Sequence, residues 1–211
     1  MKFLVIFILF CISLALAQNQ TRAQFRQRFQ PKDFVFDIGR KPKDSIGLGG
    51  KIKIVTSEEL KSLSGEGVAL VLVDLEPCSI NQPHLHPRAT EINFVLLGEH
   101  VEFGFVEENG GRVITHTAKT GQSSFVPKGM IHYAQNLGCD KALIHAVFNS
   151  DDPGFISVVA STFRFSDEVI ESTFNIDQRE FDSLKKELPP APANFRKQNE
   201  CFQRCKIKPR P

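Results

Sequence analysis

The sequence predicts an all-β fold, a sandwich or closed barrel, with a short helical end. Three observations carry that expectation. From Gly67 to about Phe165, β-branched and aromatic runs recur between Gly, Pro and Asn, each about four to eight residues long. No helical pattern separates these runs, as it would in a parallel α/β sheet. Helical periodicity returns only between Asp177 and Leu188, where Phe181, Leu184 and Leu188 form an apolar stripe that Pro189 and Pro190 stop. No internal repeat of the kind that marks a solenoid is visible.

Taken in order, the chain opens with Lys2, an apolar stretch and Ala15-Leu16-Ala17. This is the pattern of a secretory signal over residues 1–17, cleaved before Gln18. A membrane anchor is the competing reading, but the stretch falls short of the roughly 20 apolar residues a spanning helix needs. No later segment is long and apolar enough to span a bilayer. Residues 18–32, rich in Gln and Arg without periodicity, read as a flexible arm that carries the sequon Asn19-Gln20-Thr21. A single domain is expected over residues 33–188. Within it, Thr56 to Leu63 suggests one short helix capped by Thr56 or Ser57. The expected strands are Val68 to Leu75, Glu91 to Leu97, His100 to Val106, Arg112 to Thr117, Ser123 to Val126, Ile131 to Asn136, Ala142 to Phe148 and Ile156 to Phe165.

Charge nearly cancels, at 26 Lys and Arg against 24 Asp and Glu, which argues against nucleic acid as a partner. The imbalance is local. The tail over residues 189–211 holds Arg196, Lys197, Arg204, Lys206, Lys208 and Arg210 against Glu200, and reads either as a solvated end or as a polyanion-binding segment. Cys11 leaves with the leader. Cys78, Cys139, Cys201 and Cys205 would then mature in an oxidising compartment, where disulfides are expected.

Two cassettes carry the chemistry. In Asn81 to Gly98, His84 and His86 stand at i and i+2, so on a strand both imidazoles face one interior spot. Pro87 breaks that strand, and after a turn Glu91 can enter another strand facing the same interior. Burying an unpaired carboxylate costs several kcal/mol, of order ~3–5 when a partner is missing, so Glu91 calls for a cation or a metal. In Gly121 to Asn136, the turn Pro127-Lys128-Gly129 sends His132 into a strand with Ala134 and Asn136 on the same face. Three imidazoles and one carboxylate suit a divalent transition metal: manganese, iron, nickel, copper or zinc. Asn136 reads as a strand-end residue bonded to backbone, and His100, His116 and His145 as ordinary surface or satisfied interior histidines.

The spacings H-x-H-x4-E-x6-G and G-x5-P-x-G-x2-H-x3-N form the two-part signature of the cupin superfamily. With "HLHPRATEI", "PKGMIHYAQN" and "VFNSDDPG", the chain resembles the germin-like proteins and the spherulins over roughly Asp33 to Lys186. The resemblance implies a secreted, extracellular single-cupin jelly-roll β-barrel with short C-terminal helices. It also implies manganese held by His84, His86, Glu91 and His132, and a trimeric or hexameric homo-oligomer. In oxalate-oxidising germins two asparagine amides hold the substrate. Asn81 matches one of them and is the candidate catalytic residue, with a plain turn residue as the alternative. Val71 stands where the other would be and cannot donate that bond, which favours superoxide dismutation over oxalate oxidation.

Cys78 lies six residues before His84, and Cys139 seven after His132. If the two segments run antiparallel with their histidines meeting, both cysteines reach one end of the barrel. The expectation is a Cys78 to Cys139 bridge, with Cys201 and Cys205 paired locally or between subunits. The apolar stripe near the C-terminus would cover either its own barrel or a partner. Ile92, Phe94 and Leu96, opposite Glu91, suggest a strand buried on both sides, for which an oligomer would supply the second cover. Three readings of function follow: a metal oxidoreductase acting on superoxide or a small-molecule substrate; a structural, matrix or storage protein associated with a wall polymer; and a binding module that captures a small ligand.

Overall fold

The computed structural model describes residues 21–39, 43–188 and 199–207. The expected leader, the Asn19 sequon and most of the basic tail lie outside them. Eleven strands run in chain order: β1 (Lys43–Gly47), β2 (Gly50–Val55), β3 (Ala69–Leu75), β4 (Ile80–Leu85), β5 (Glu91–Leu97), β6 (Val101–Val106), β7 (Val113–Ala118), β8 (Ser123–Val126), β9 (Ile131–Asn136), β10 (Ala142–Phe148) and β11 (Ile156–Ser157). They form two antiparallel sheets, in the orders β1-β2-β3-β10-β5-β8 and β11-β4-β9-β6-β7. This is a jelly-roll barrel.

Period-two alternation sorts side chains between the inner and outer faces. On β3, Ala69, Val71, Val73 and Leu75 are buried while Leu70, Leu72 and Asp74 are partly exposed. Ala142, Ile144, Ala146 and Phe148 of β10 face the same interior and meet Val95, Phe103 and Ala134, so both sheets share one core. On β5 the inward residues include Glu91 and Val95, whereas Ile92, Phe94 and Leu96 point outward and stay substantially exposed in the single chain.

The β1–β2 hairpin was not anticipated. Its second strand packs on β3, Ile52 opposite Val73 and Ile54 opposite Val71. Gly50 enters that strand at φ +148°, and a Cβ there would lie 1.9 Å from the Asp74 carbonyl oxygen, so only glycine fits.

Three expectations about local structure need correction. Ile156 to Phe165 is not one strand: β11 pairs with β4 for two residues, Ile156 with Leu85 and Ser157 with His84. The next partner is Pro83, which has no N–H to continue the ladder, and the chain turns into helix Val158–Thr162. Thr56 to Leu63 is not an α-helix. Thr56 does cap a turn, with Glu58 N donating to its Oγ1 and Leu60 N to its carbonyl, but that single turn is not continued and a 3-10 turn at Lys61–Leu63 follows. The segment expected as a loose arm holds helix Arg22–Arg26, closed by a Thr21–Gln24 capping box, whose Arg22 and Arg26 both pair with Glu66 at 2.9 Å.

Beyond the barrel come helix Asp167–Phe174, not foreseen, and helix Gln178–Glu187, capped by Asp177. The expected apolar stripe divides. Phe181 is fully buried and stacks on Phe163, centroids 5.9 Å apart, while Leu184 remains exposed.

The cysteines pair differently from the expectation: Cys78 with Cys201 and Cys139 with Cys205. Cys78 and Cys139 do sit at one end of the barrel, where Cys78 N donates to the Gly138 carbonyl. The helix Asn199–Cys205, which carries both of their partners, comes between them. Cys201 and Cys205 are one turn apart on its surface, so one face of a single helix reaches both loops. Arg204 and Cys201 add contacts to the Leu137 carbonyl.

Candidate metal centre

His84 on β4 and His132 on β9 are cross-strand partners, which puts their rings 4.2 Å apart. A register shift between Asn81 and His84, at Pro83, lets the strand bend as it enters the site. His86 follows two residues later, just beyond the strand. Glu91 opens β5, which is not the neighbour of β4 but belongs to the facing sheet, so the carboxylate closes the site from the opposite wall. The Pro127–Gly129 turn is pinned here by Gly129 N donating to the His86 carbonyl.

All four side chains are buried, and one ligand atom from each falls within 4.8 Å of the others. Each ring is oriented through Nδ1, which donates to a backbone carbonyl: His84 to Gln82 (2.7 Å), His86 to Gly154 (2.6 Å) and His132 to Met130 (2.9 Å). Carbonyls only accept, so the proton sits on Nδ1 and the Nε2 lone pairs are free to face inward. The Glu91 Oε2 lies 2.8 Å from His132 Nε2 and 3.4 Å from His86 Nε2. The shorter contact is close but poorly aligned, and both Glu91 Oε2 and His132 Nε2 are buried without a hydrogen-bond partner. Orphaned, converging donor atoms of this kind fit a divalent ion.

The titration behaviour agrees. Burial, joined by the neighbouring His132 and His86, pushes His84 down to about 3 against the pull of Glu91. Burial also lowers His86. For Glu91, burial acts to raise the carboxyl, but the His132 contact and the charges of His132, His86 and His84 outweigh it and hold it at about 2. His132 is raised, because Glu91 and the Met130 carbonyl overcome its burial. His84 and His86 are therefore held neutral and Glu91 ionised, while Glu91 favours the protonated form of His132.

His84, His86 and Glu91 of the cluster line the floor of a cavity of about 440 Å³, and His132 packs against His84 without lining it. Asn81 lies within β4 rather than in a turn, is buried, and lines this cavity together with Val71. Asn136 is fully committed elsewhere, its amide donating to the Leu75, Glu76 and Asp140 carbonyls and accepting from Gly138 N. His116 is bonded to the Ser124 hydroxyl, His100 is exposed and His145 is half-buried on β10. Phe155, which sequence reasoning missed, stacks on His84 with centroids 4.9 Å apart.

The sequence profile of the family described as Cupin matches residues 36–182. The chain is a germin-like cupin. It is 37% identical over 174 residues to Spherulin-1A of Physarum polycephalum, covering 82% of this chain and 70% of that protein. It is 34% identical over 164 residues to germin-like protein subfamily 2 member 4 of Arabidopsis thaliana, covering 75% and 74%. Among solved structures, a recombinant oxalate oxidase in complex with glycolate superposes with a TM-score of 0.70 at 24% identity, over 76% of this chain and 83% of that one. At that identity the likeness speaks for the barrel alone. The spacing of the two cassettes was the signal by which this germin-like cupin could be read.

Proposed function

We propose that this protein is a secreted, extracellular metal-dependent oxidoreductase in which His84, His86, Glu91 and His132 hold one divalent ion, manganese. The observation that carries this reading is the pair of orphaned atoms, Glu91 Oε2 and His132 Nε2, facing two more buried imidazoles. A redox-active ion there supplies one-electron chemistry and open coordination positions. The chain's own residues fix the imidazoles through backbone carbonyls, exclude bulk water with the cavity wall, and offer the Asn81 amide as a donor toward a bound oxygen.

Superoxide is the favoured substrate over oxalate, because Val71 supplies no second amide. Secretion is supported by two disulfides, which form in oxidising compartments, and by the leader-like start of the sequence. A trimer or hexamer is supported by the outward apolar row on β5, where Ile92 is 52% exposed beside Val147 of β10 and Phe125 of β8. The likeness to Spherulin-1A favours a second reading, a structural, matrix or storage cupin in which the ion only hardens the barrel. Metal analysis of the secreted protein, with hydrogen peroxide measured from superoxide and separately from oxalate, decides between them. The oxidoreductase reading expects stoichiometric manganese and peroxide from superoxide; zinc or no metal favours the structural one, and efficient oxalate oxidation would refute the Val71 argument.

A further inference from the structure

The cavity above the four ligands has an asymmetric lining. Its polar floor is His84, His86 and Glu91 with Asn81, whereas the facing wall is continuous hydrocarbon from three adjacent strands. Ile52 and Ile54 of β2 stand opposite Val73 and Val71 of β3, and β10 continues the same surface with Phe148, which is 2% exposed. Phe155 completes the wall where it meets solvent, at 41% exposure, stacked on His84.

Charge points the same way. Among the described residues no lysine or arginine lines the cavity, while Glu58, Glu59 and Asp152 do. Asp152 is paired at 2.6 Å with Arg88, which is itself outside the lining. Glu59 is held by the Thr56 N–H and hydroxyl. A small dianion entering here would meet hydrocarbon along the wall and, among the described lining residues, no guanidinium or ammonium to take its second charge. It would also leave most of the space unfilled: about 440 Å³ lies within the ~300–1,000 Å³ range of cavities that enclose drug-sized ligands.

We infer that this cavity takes a neutral small molecule with an apolar body, whose single polar end faces the His84, His86, Glu91 and His132 cluster, and not a small dicarboxylate. The inference rests on the metal-centre reading only for what that polar end meets; the wall selects the body without the ion.

The test is calorimetric titration of the manganese-loaded protein, and of the same protein stripped with a chelator, with acetohydroxamate, butyrohydroxamate and hexanohydroxamate, and with oxalate. Each buried methylene tightens binding about three- to fourfold, so each pair should tighten it roughly tenfold. Hexanohydroxamate should bind at least about tenfold more tightly than oxalate, and Phe155→Ala should shrink the last increment. The increments should persist in the stripped protein, every hydroxamate weakened by one common factor. If manganese changes nothing while the increments remain, the metal-centre reading fails and the apolar cavity stands. If manganese strengthens binding but affinity is flat with chain length, or oxalate binds most tightly, the inference is overturned and the metal centre stands.

Discussion

Replacing Glu91 by glutamine keeps the shape of the side chain and removes its charge, which separates the ion's contribution from that of packing. The wild-type ligand atoms already converge within 4.8 Å, and all three imidazoles are anchored through Nδ1, so binding requires little reordering. At manganese a hundredfold above Kd, mass action adds about 2.7 kcal/mol to the folded state. For a chain of this size that raises Tm by roughly 5–11 °C. Loss of the only anionic ligand should weaken binding by at least about a hundredfold, as large as the effect of removing outer-shell partners. At the same manganese concentration the gain then falls to about 0.4 kcal/mol, roughly 1–2 °C. Without metal, Glu91→Gln should melt close to wild type, because His132 can release its proton once its partner is neutral. Differential scanning calorimetry with manganese and with chelator reads all four conditions. A wild-type Tm that ignores manganese, or a Glu91→Gln protein that gains as much as wild type, would refute the assignment of this cluster as the ion's site.

Other outcomes follow from features away from the ligands. The Cys139–Cys205 bridge closes a span of 66 residues, so Cys139→Ser with Cys205→Ser should lower stability by about 2–4 kcal/mol in urea unfolding, and an unchanged midpoint would show that the tail bears no load. Gly50→Ala places a methyl 1.9 Å from the Asp74 oxygen at a positive φ and should cost at least about 2 kcal/mol; a loss under half that value in the same assay would contradict the hairpin geometry. Tyr133 is the only tyrosine in the chain, and burial together with Glu102, which accepts its hydroxyl at 2.8 Å, raises its phenol above 10. Because the folded state holds that proton more tightly, the associated stability is complete below pH 10 and is lost as pH rises through the raised value. Absorbance at the phenolate band should give one transition above 10 that moves down in Glu102→Gln, and a transition at the free-tyrosine value would refute the contact.

Much of this was legible in the sequence, for reasons that differ along the chain. The bounds of β5, β8, β9 and β10 follow from alternation, since one face of each meets the shared core and a slip of one residue would invert it. The β1–β2 hairpin escaped because Lys43 to Gly47 is polar and glycines flank Lys51 to Val55, although the Lys-Ile alternation there was the available signal. The convergence of His84, His86, Glu91 and His132 was legible because i and i+2 share a strand face and each cassette carries its own turn at Pro87 or Pro127. Phe155 was not, because it reaches His84 from a loop after Pro153-Gly154, where no periodicity applies. The disulfide pairing failed on a long-range contact: nothing near Cys78 or Cys139 tells that a helix more than sixty residues later docks between them.

The placement of these features bears on whether the cluster serves the fold or a reaction. Much of what holds the barrel together lies away from the ligands, although Val71 and Phe148 of the same core also line the cavity. The apolar core gathers Leu75, Val95, Phe103 and Ile144 between the sheets, and the two disulfides bind the last described helix to the end of the barrel where β4 begins and β9 has ended. His84 and His132 stand at the other ends of those same strands, where His84 lines the cavity. A structural ion is expected where the fold lacks other support, as in small domains without an adequate core. Here the barrel already has a core and two staples, and the cluster opens onto space that a ligand can enter. An ion held there costs the burial of one carboxylate and three imidazoles and is not needed to close the fold. Loss of the ion without unfolding is therefore the outcome this arrangement implies for His86→Ala, and it is the outcome that a site built for chemistry, rather than for rigidity, would give.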